Sequence, residues 1–360
     1  MNEMPIFNVP RPSLEQRLSP AYLYSRTTLF DPFVSSTHER FWDPSDPRYI
    51  DFSTAFDLKS PLLPLNHFPE LNQWPDQIPL QEQIDYVNLQ AYRMLSGFYY
   101  GEQAALLVCL KEAEELADPC AVEYAINQAR EESRHQHGFQ RYIQARFGEP
   151  APLSQPYREL ILRLLDTDTT QRKFVGIQLV IEGLGLATLG YVARATTDPV
   201  LRRLVTLVMA DEAQHHRTGR MLAKREFPLF SSAQAQEIAE EAWACFNTMQ
   251  MLYLHAGPLQ ALCARLQLAH GPTGSLLAPG ARNPYFEAIF RRNAATIEDC
   301  GVITQVMRPL YSNWLSVAPD DALEDCQDQQ LAEQVTQDLR AYNAEQRQRH
   351  ALAPSAGAGG

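Results

Sequence analysis

From about residue 81 the apolar positions of this chain fall three or four apart, which draws single stripes on long helices. The first stripe is Ile84, Val87, Ala91, Leu95, Phe98, Ala105, Cys109, Ala113 and Leu116, with Glu102 set inside it. The second runs Val122, Ala125, Ala129, Phe139 and Ile143, and it holds Glu132 and His135. A short helical stretch, Tyr157 to Leu165, leads to a third stripe of Val175, Leu179, Leu186, Leu189 and Ala193 around Glu182. The fourth carries Leu201, Val205, Val208 and Leu222 with Glu212 and His215, and should end before Pro228. Beyond it, residues 233–268 read as one long helix kinked at Pro258, 271–283 as a loop, 284–308 and 326–349 as helices, and 353–360 as a disordered tail. No stretch alternates convincingly enough for a sheet. Residues 1–80 differ: eleven prolines between Pro10 and Pro79 forbid long helices, while Phe30, Trp42, Phe52 and Trp74 are too apolar for a disordered tail. The expected fold is all-α, with an irregular N-terminal arm (1–80) laid on a four-helix core (81–228) and accessory C-terminal helices (229–352).

The polar residues inside the stripes repeat. Glu132-Ser133-Arg134-His135 and Glu212-Ala213-Gln214-His215 share the pattern Glu-x-x-His, a lone glutamate precedes each (Glu102, Glu182), and an Asp-Pro pair interrupts each interval (Asp118-Pro119, Asp198-Pro199). Every one of these features recurs at an offset of eighty residues. The residue before a proline avoids the α region and proline suits a first helical turn, so each Asp-Pro should turn one helix into the next. Glu102 lies roughly 24 Å of helix before its turn and Glu132 roughly 21 Å after it, which brings both to one height on antiparallel neighbours. Residues three apart share a helix face, so each histidine projects beside its glutamate.

Packing the two hairpins stripe to stripe would converge four carboxylates and two imidazoles in the interior. Such groups are not tolerated there without compensation. Four glutamates supply about four negative charges, which two divalent ions would cancel. Oxygen and imidazole donors suit iron or manganese, whereas zinc favours thiolates or three histidines. Glu102, Glu132, His135, Glu182, Glu212 and His215 are thus the candidate metal and catalytic residues.

Composition narrows the field. A net charge of −12 argues against a nucleic-acid binder. No run of eighteen apolar residues suggests a membrane span, and the start lacks the basic and apolar regions of a signal peptide, so a cytoplasmic protein is expected. Six scattered cysteines without a Cys-x-x-Cys pair read as reduced thiols.

Residues 81–228, through the doubled Glu-x-x-His and its upstream glutamates, resemble the ferritin-like di-iron carboxylate superfamily, in particular its oxygenase branch of bacterial non-haem di-iron enzymes. The resemblance implies a ferritin-like bundle holding two Fe ions (Fe2+/Fe3+, with Mn allowed at one site) and using O2 as co-substrate. It implies Glu102, Glu132 and His135 mainly for one metal, Glu182, Glu212 and His215 for the other, and Glu132 and Glu212 as bridges. In that branch an acid before the motif glutamate often accepts the second N–H of a histidine ligand, which points to Glu131 and Asp211; Arg134 also matches the branch. His137 and His216 are read as surface or supporting groups outside the ligand set.

Departures from particular members are informative. Ribonucleotide reductase small subunits place a radical tyrosine where this chain has Phe139. Arylamine N-oxygenases carry a third histidine ligand where Val208 stands, and multicomponent hydroxylases a threonine at the position of Leu186. The segment Glu131 to His135 also resembles soluble acyl-carrier desaturases. Simple ferritins are much shorter than this chain. Gly176, Gly183 and Gly185 around Glu182 mark either close helix packing or open space beside the metals. The resulting expectation is a di-iron, O2-dependent, monooxygenase-like oxidoreductase that hydroxylates, N-oxygenates or desaturates a small organic or carrier-bound substrate. Phe98, Phe139, Leu179, Leu186 and Val208 would wall its site. With no Rossmann glycine motif or ferredoxin cysteine set, its electrons should come from a separate reductase or ferredoxin, and the flanks offer surface for a homodimer. The alternative is a ferroxidase or metal-handling protein with no organic substrate.

Overall fold

The computed structural model describes residues 5–7, 9–74, 76–253, 257–268, 284–316 and 319–352, so the expected loop 271–283 and tail 353–360 lie outside the described residues. The N-terminal arm holds three short helices, α1 (Leu14–Arg17), α2 (Pro20–Tyr24) and α3 (Asp31–Glu39), joined by irregular chain. Four long elements follow: α4 (Leu80–Glu115), α5 (Pro119–Phe147), the run α7 (Thr170–Phe174) to α8 (Glu182–Ala195), and α9 (Pro199–Glu226). α6 (Gln155–Asp166) crosses between the two hairpins. After the core come α10 (Ser232–Tyr253), α11 (Gly257–Arg265), α12 (Pro284–Asp299) and α13 (Pro319–Leu352). There is no β-strand among the described residues.

Both hairpin turns are built the same way. Asp118 accepts the N–H of Cys120 and Asp198 that of Val200, at 3.0 and 2.8 Å, with a proline in the first helical turn each time. Each aspartate thereby satisfies a helix donor that would otherwise be orphaned. The spare capacity of the two carboxylates has diverged. Asp118 also takes the backbone N–H and hydroxyl of Thr27, which straps the arm to the turn. Asp198 takes Tyr142 and Arg146 from α5, which ties the second turn to the first hairpin.

α4 packs along α5 and α8 along α9; α5 meets α9 and the stretch before α8 meets α4, closing a four-helix bundle. α10 and α12 cover that stretch, and α13 lies on α9. The arm belongs to the same core: Trp42, Phe30 and Leu62 are almost wholly enclosed by it.

Two sequence expectations change. Residues 175–181, read as ordinary α-helix, are π-helical. All seven of them are buried, because this element is covered on every side and has no solvent face to make a stripe. The helix expected over 284–308 ends at Asp299, where Gly301 takes a left-handed φ of 77° and the chain turns irregular. The segment read as one helix over 233–268 is helical over Ser232–Tyr253 and Gly257–Arg265, and residues 254–256, next to the expected kink at Pro258, lie outside the described residues. Residues 170–195 have the length and apolarity to cross a membrane, with a mean hydropathy of 1.6, but 83% of that window is buried inside the bundle.

Candidate metal centre

All six motif residues meet between the four long elements, and each is buried. Nδ1 of His135 lies 2.9 Å from Glu212 Oε1, 3.3 Å from Glu132 Oε2 and 3.5 Å from Glu102 Oε2. Nδ1 of His215 lies 3.0 Å from Glu132 Oε1 and 3.5 Å from Glu212 Oε2. Glu182 completes the second group with Glu212 and His215. Glu132 and Glu212 each turn one oxygen to each histidine, the disposition a bridging ligand requires.

Of these contacts, His135 Nδ1 to Glu132 Oε2 is a hydrogen bond, and several of the other donor atoms are left unpaired. His215 Nδ1, Glu182 Oε2 and Glu212 Oε1 are buried and have no hydrogen-bond partner. Two donor atoms each about 2.1 Å from one ion, and at right angles about it, lie about 3 Å apart, which is the spacing seen here. The donor set of carboxylates and imidazoles without thiolate fits iron or manganese.

Behind the cluster lies a second layer of charge. His135 Nε2 is 3.0 Å from Asp211 and His215 Nε2 is 2.7 Å from Glu131. These bonds place a proton on Nε2 and turn Nδ1 inward as the donor atom. The pairing is crossed: the acid beside each motif glutamate holds the histidine of the other hairpin. Arg134 donates to Asp211 at 2.6 Å, and Arg40 reaches from the arm to both Asp211 (2.9 Å) and Glu131 (3.2 Å). Trp42 donates its indole N–H to Asp211 at 2.9 Å and stacks on the His135 ring. The two arginines balance the two outer acids. Among the described residues, the four inner carboxylates have no matching arginine or lysine.

The acid–base behaviour reflects that imbalance. Burial drives the carboxyls of Glu102 and Glu182 well above their ordinary range. Burial would raise Glu132 as well, but His215 and His135 outweigh it and pull it down. For His135, burial opposes charging, yet Asp211, Glu102, Glu132 and Glu212 together raise its pKa; His215 rises under Glu132 and Glu212 in the same way. Protons and metal ions therefore compete for one set of atoms.

Two further side chains carried no signal in the sequence. Gln128 donates to Oε1 of both Glu132 and Glu182, at 3.1 and 3.2 Å, and accepts from Gln178 of the π-helical stretch at 2.9 Å. Asn293 of α12 donates to the Leu179 carbonyl in that stretch at 2.8 Å.

A cavity of about 510 Å³ opens onto Glu102, Glu182 and Glu212. Its walls include Phe98, Met94, Ile177, Ile181, Leu186 and Leu189. Of the five expected wall residues, Phe98 and Leu186 face it. Phe139, Leu179 and Val208 are fully enclosed in the core instead, Phe139 stacked behind Phe98 at 5.3 Å. The glycines divide in the same manner. A Cβ at Gly176 or Gly183 would collide with Leu164 or Asn293, so these two serve packing, whereas Gly185 lines the cavity. The His216 ring lies close beside Gly183, and burial lowers its pKa to about 4; His137 is half-buried.

The structure thus defines an all-α bundle with an interior carboxylate–histidine cluster beside an apolar cavity. No protein-family model and no curated protein matches the chain. It is similar to solved structures of R2-like ligand-binding oxidases. One is a mutant with aerobically reconstituted Mn/Fe cofactor, at 17% identity over 80% of this chain and 95% of that one, TM-score 0.45. A mutant with aerobically reconstituted Fe/Fe cofactor matches at 16% identity over 80% and 94%, TM-score 0.45. A third, with Mn/Fe cofactor, matches at 18% identity over 76% and 92%, TM-score 0.42.

Proposed function

We propose that this chain is an O2-dependent dimetal oxidoreductase that oxidises an apolar organic substrate. The supporting observation is the cavity: aliphatic and aromatic side chains, tyrosines among them, make up most of its wall, and it reaches three carboxylates of the cluster. A protein that only oxidised or stored iron would need a polar route for ions, whereas most of this wall is apolar, with Glu70, Gln90 and Arg93 its polar side chains apart from serines, tyrosines and the cluster itself.

Glu102, Glu132, His135, Glu182, Glu212 and His215 would hold two iron ions, with manganese allowed at one position. When bound, the metals supply the redox chemistry that activates O2. The chain's own residues do the rest. Glu131 and Asp211 fix the tautomer and direction of the two imidazoles. Arg40 and Arg134 neutralise those acids, so the inner carboxylates alone set the charge offered to the metals. Phe98, Ile181, Leu186 and Leu189 exclude water and place the substrate carbon beside the cluster. Electrons for repeated turnover come from a separate reductase or ferredoxin.

The test is anaerobic Fe(II) loading followed by O2 exposure under optical spectroscopy. About two irons per chain are expected. An optical transient whose decay quickens with one apolar substrate, with recovery of its oxidised product, is the expected result. Iron oxidation with no substrate from a broad panel affecting either rate or product would overturn the reading.

A further inference from the structure

We infer that Gln128 is a positioning residue that confines Glu182 to binding through one oxygen, and so makes the two metal positions chemically unequal. The inference rests on the two-metal reading. Gln128 is fully enclosed on α5, one turn before Glu132. Its carboxamide nitrogen has two N–H groups, and both are used, one on Glu132 Oε1 and one on Glu182 Oε1. Its oxygen takes the amide of Gln178. That last bond decides which end faces the carboxylates. A reversed Gln128 would set its oxygen against two carboxylates and its NH2 against the NH2 of Gln178.

The consequence for Glu182 is direct. Its Oε1 is engaged, while its Oε2 is buried with no hydrogen-bond partner and is the atom free to reach an ion. Swinging to a two-oxygen mode would draw Glu182 Oε1 off the Gln128 N–H, whereas Glu132 Oε1 faces the His215 side without turning from that amide. Both oxygens held by Gln128 belong to the His215 side, since Glu132 Oε1 is the one 3.0 Å from His215 Nδ1. On the His135 side, no amide reaches Glu102 among the described residues; the group it faces is the imidazole itself. Glu102 is therefore free to change its binding mode where Glu182 is not. An ion held beside Glu182 through one oxygen would have fewer of its positions filled by the chain, on the side where Glu182 lines the cavity.

Gln178 extends the device. It sits in the π-helical stretch that ends at Glu182, and Asn293 anchors the same stretch from α12. The geometry of the accessory helices is in this way transmitted to a ligand oxygen without any charged group.

The test uses the full chain, titrated anaerobically with Co(II), whose visible absorption reports coordination number. In Gln128→Leu one of the two equivalents should weaken by roughly 10- to 100-fold while the other is kept. The visible intensity should fall as Glu182 gains a second metal contact. Gln178→Leu, which leaves Gln128 in place but free to turn, should move both readouts in the same direction and decides the matter if Gln128→Leu does not fold. Equal weakening of both equivalents, or an unchanged spectrum, would overturn the inference. Failure of the unaltered chain to take up two cobalt ions would overturn the two-metal reading itself, and this inference with it.

Discussion

Glu112 shows how burial alone can set a charge state. It lies inside α4 with Oε1 unpartnered, and burial, reinforced by Glu115, lifts its pKa from 4.5 to about 8. The folded chain therefore keeps a proton that the unfolded chain releases between those values. Stability linked to this group is complete below the lower value and is lost as pH rises through the upper one, at about 1.4 kcal/mol per pH unit of separation. Glu112→Gln keeps a neutral side chain throughout. It should match the unaltered chain in urea unfolding near pH 5 and exceed it by a few kcal/mol above pH 8; parallel pH profiles would refute this. At the same scale, the six motif residues were legible because charge inside an apolar stripe is improbable and the eighty-residue offset repeats it. Gln128 and Gln178 were not, because a neutral amide is at home on any helix, and the bonds joining Gln128 to Glu182 and Gln178 span fifty residues or more.

The four core helices were legible in number and direction, the short helices of the arm were not, and legibility was least where the backbone departs from 3.6 residues per turn. The π-helical stretch offers no periodic cue, since all of its residues are buried. The glycines at the start of α8, just after it, distinguish packing from open space. A Cβ on Gly183 would come within 2.3 Å of the Asn293 amide nitrogen and push it from the Leu179 carbonyl. Gly183→Ala should cost about 1–3 kcal/mol. At Gly185 the nearest atom would be Phe98 at 3.8 Å, an ordinary contact. Gly185→Ala should leave stability unchanged or raise it by up to about 1 kcal/mol, because alanine favours helix over glycine. Paired thermal or denaturant melts of the two variants check the difference, and equal losses would count against it.

On the scale of the whole molecule, the arm turns out to be part of the site. Its proline and aromatic content foretold packing on the bundle, but nothing local marked Arg40 or Trp42, which meet Glu131 and Asp211 only through contacts 91 to 171 residues apart. Arg40→Met would leave two buried acids with one arginine between them. A loss of about 3–5 kcal/mol is expected, with weaker metal uptake. The partly exposed Arg26, paired with Asp31 and Glu123, makes the control: Arg26→Met should cost no more than about 1 kcal/mol. Denaturant titration of both variants tests the contrast, and similar losses would show that the arm acts through packing alone.

The crossed pairing of Glu131 with His215 and of Asp211 with His135 carries a consequence for assembly. Neither hairpin owns the acceptor that aims its own imidazole; each borrows it from the other. Half of the chain can therefore fold into a hairpin and still present its histidine unaimed. Ions that recognise only the docked arrangement would draw the halves together, with a strength that grows as metal concentration exceeds the dissociation constant. Metals bound there would act as a clasp between two otherwise incomplete units, and their removal should loosen the seam between the hairpins before it loosens either hairpin within itself.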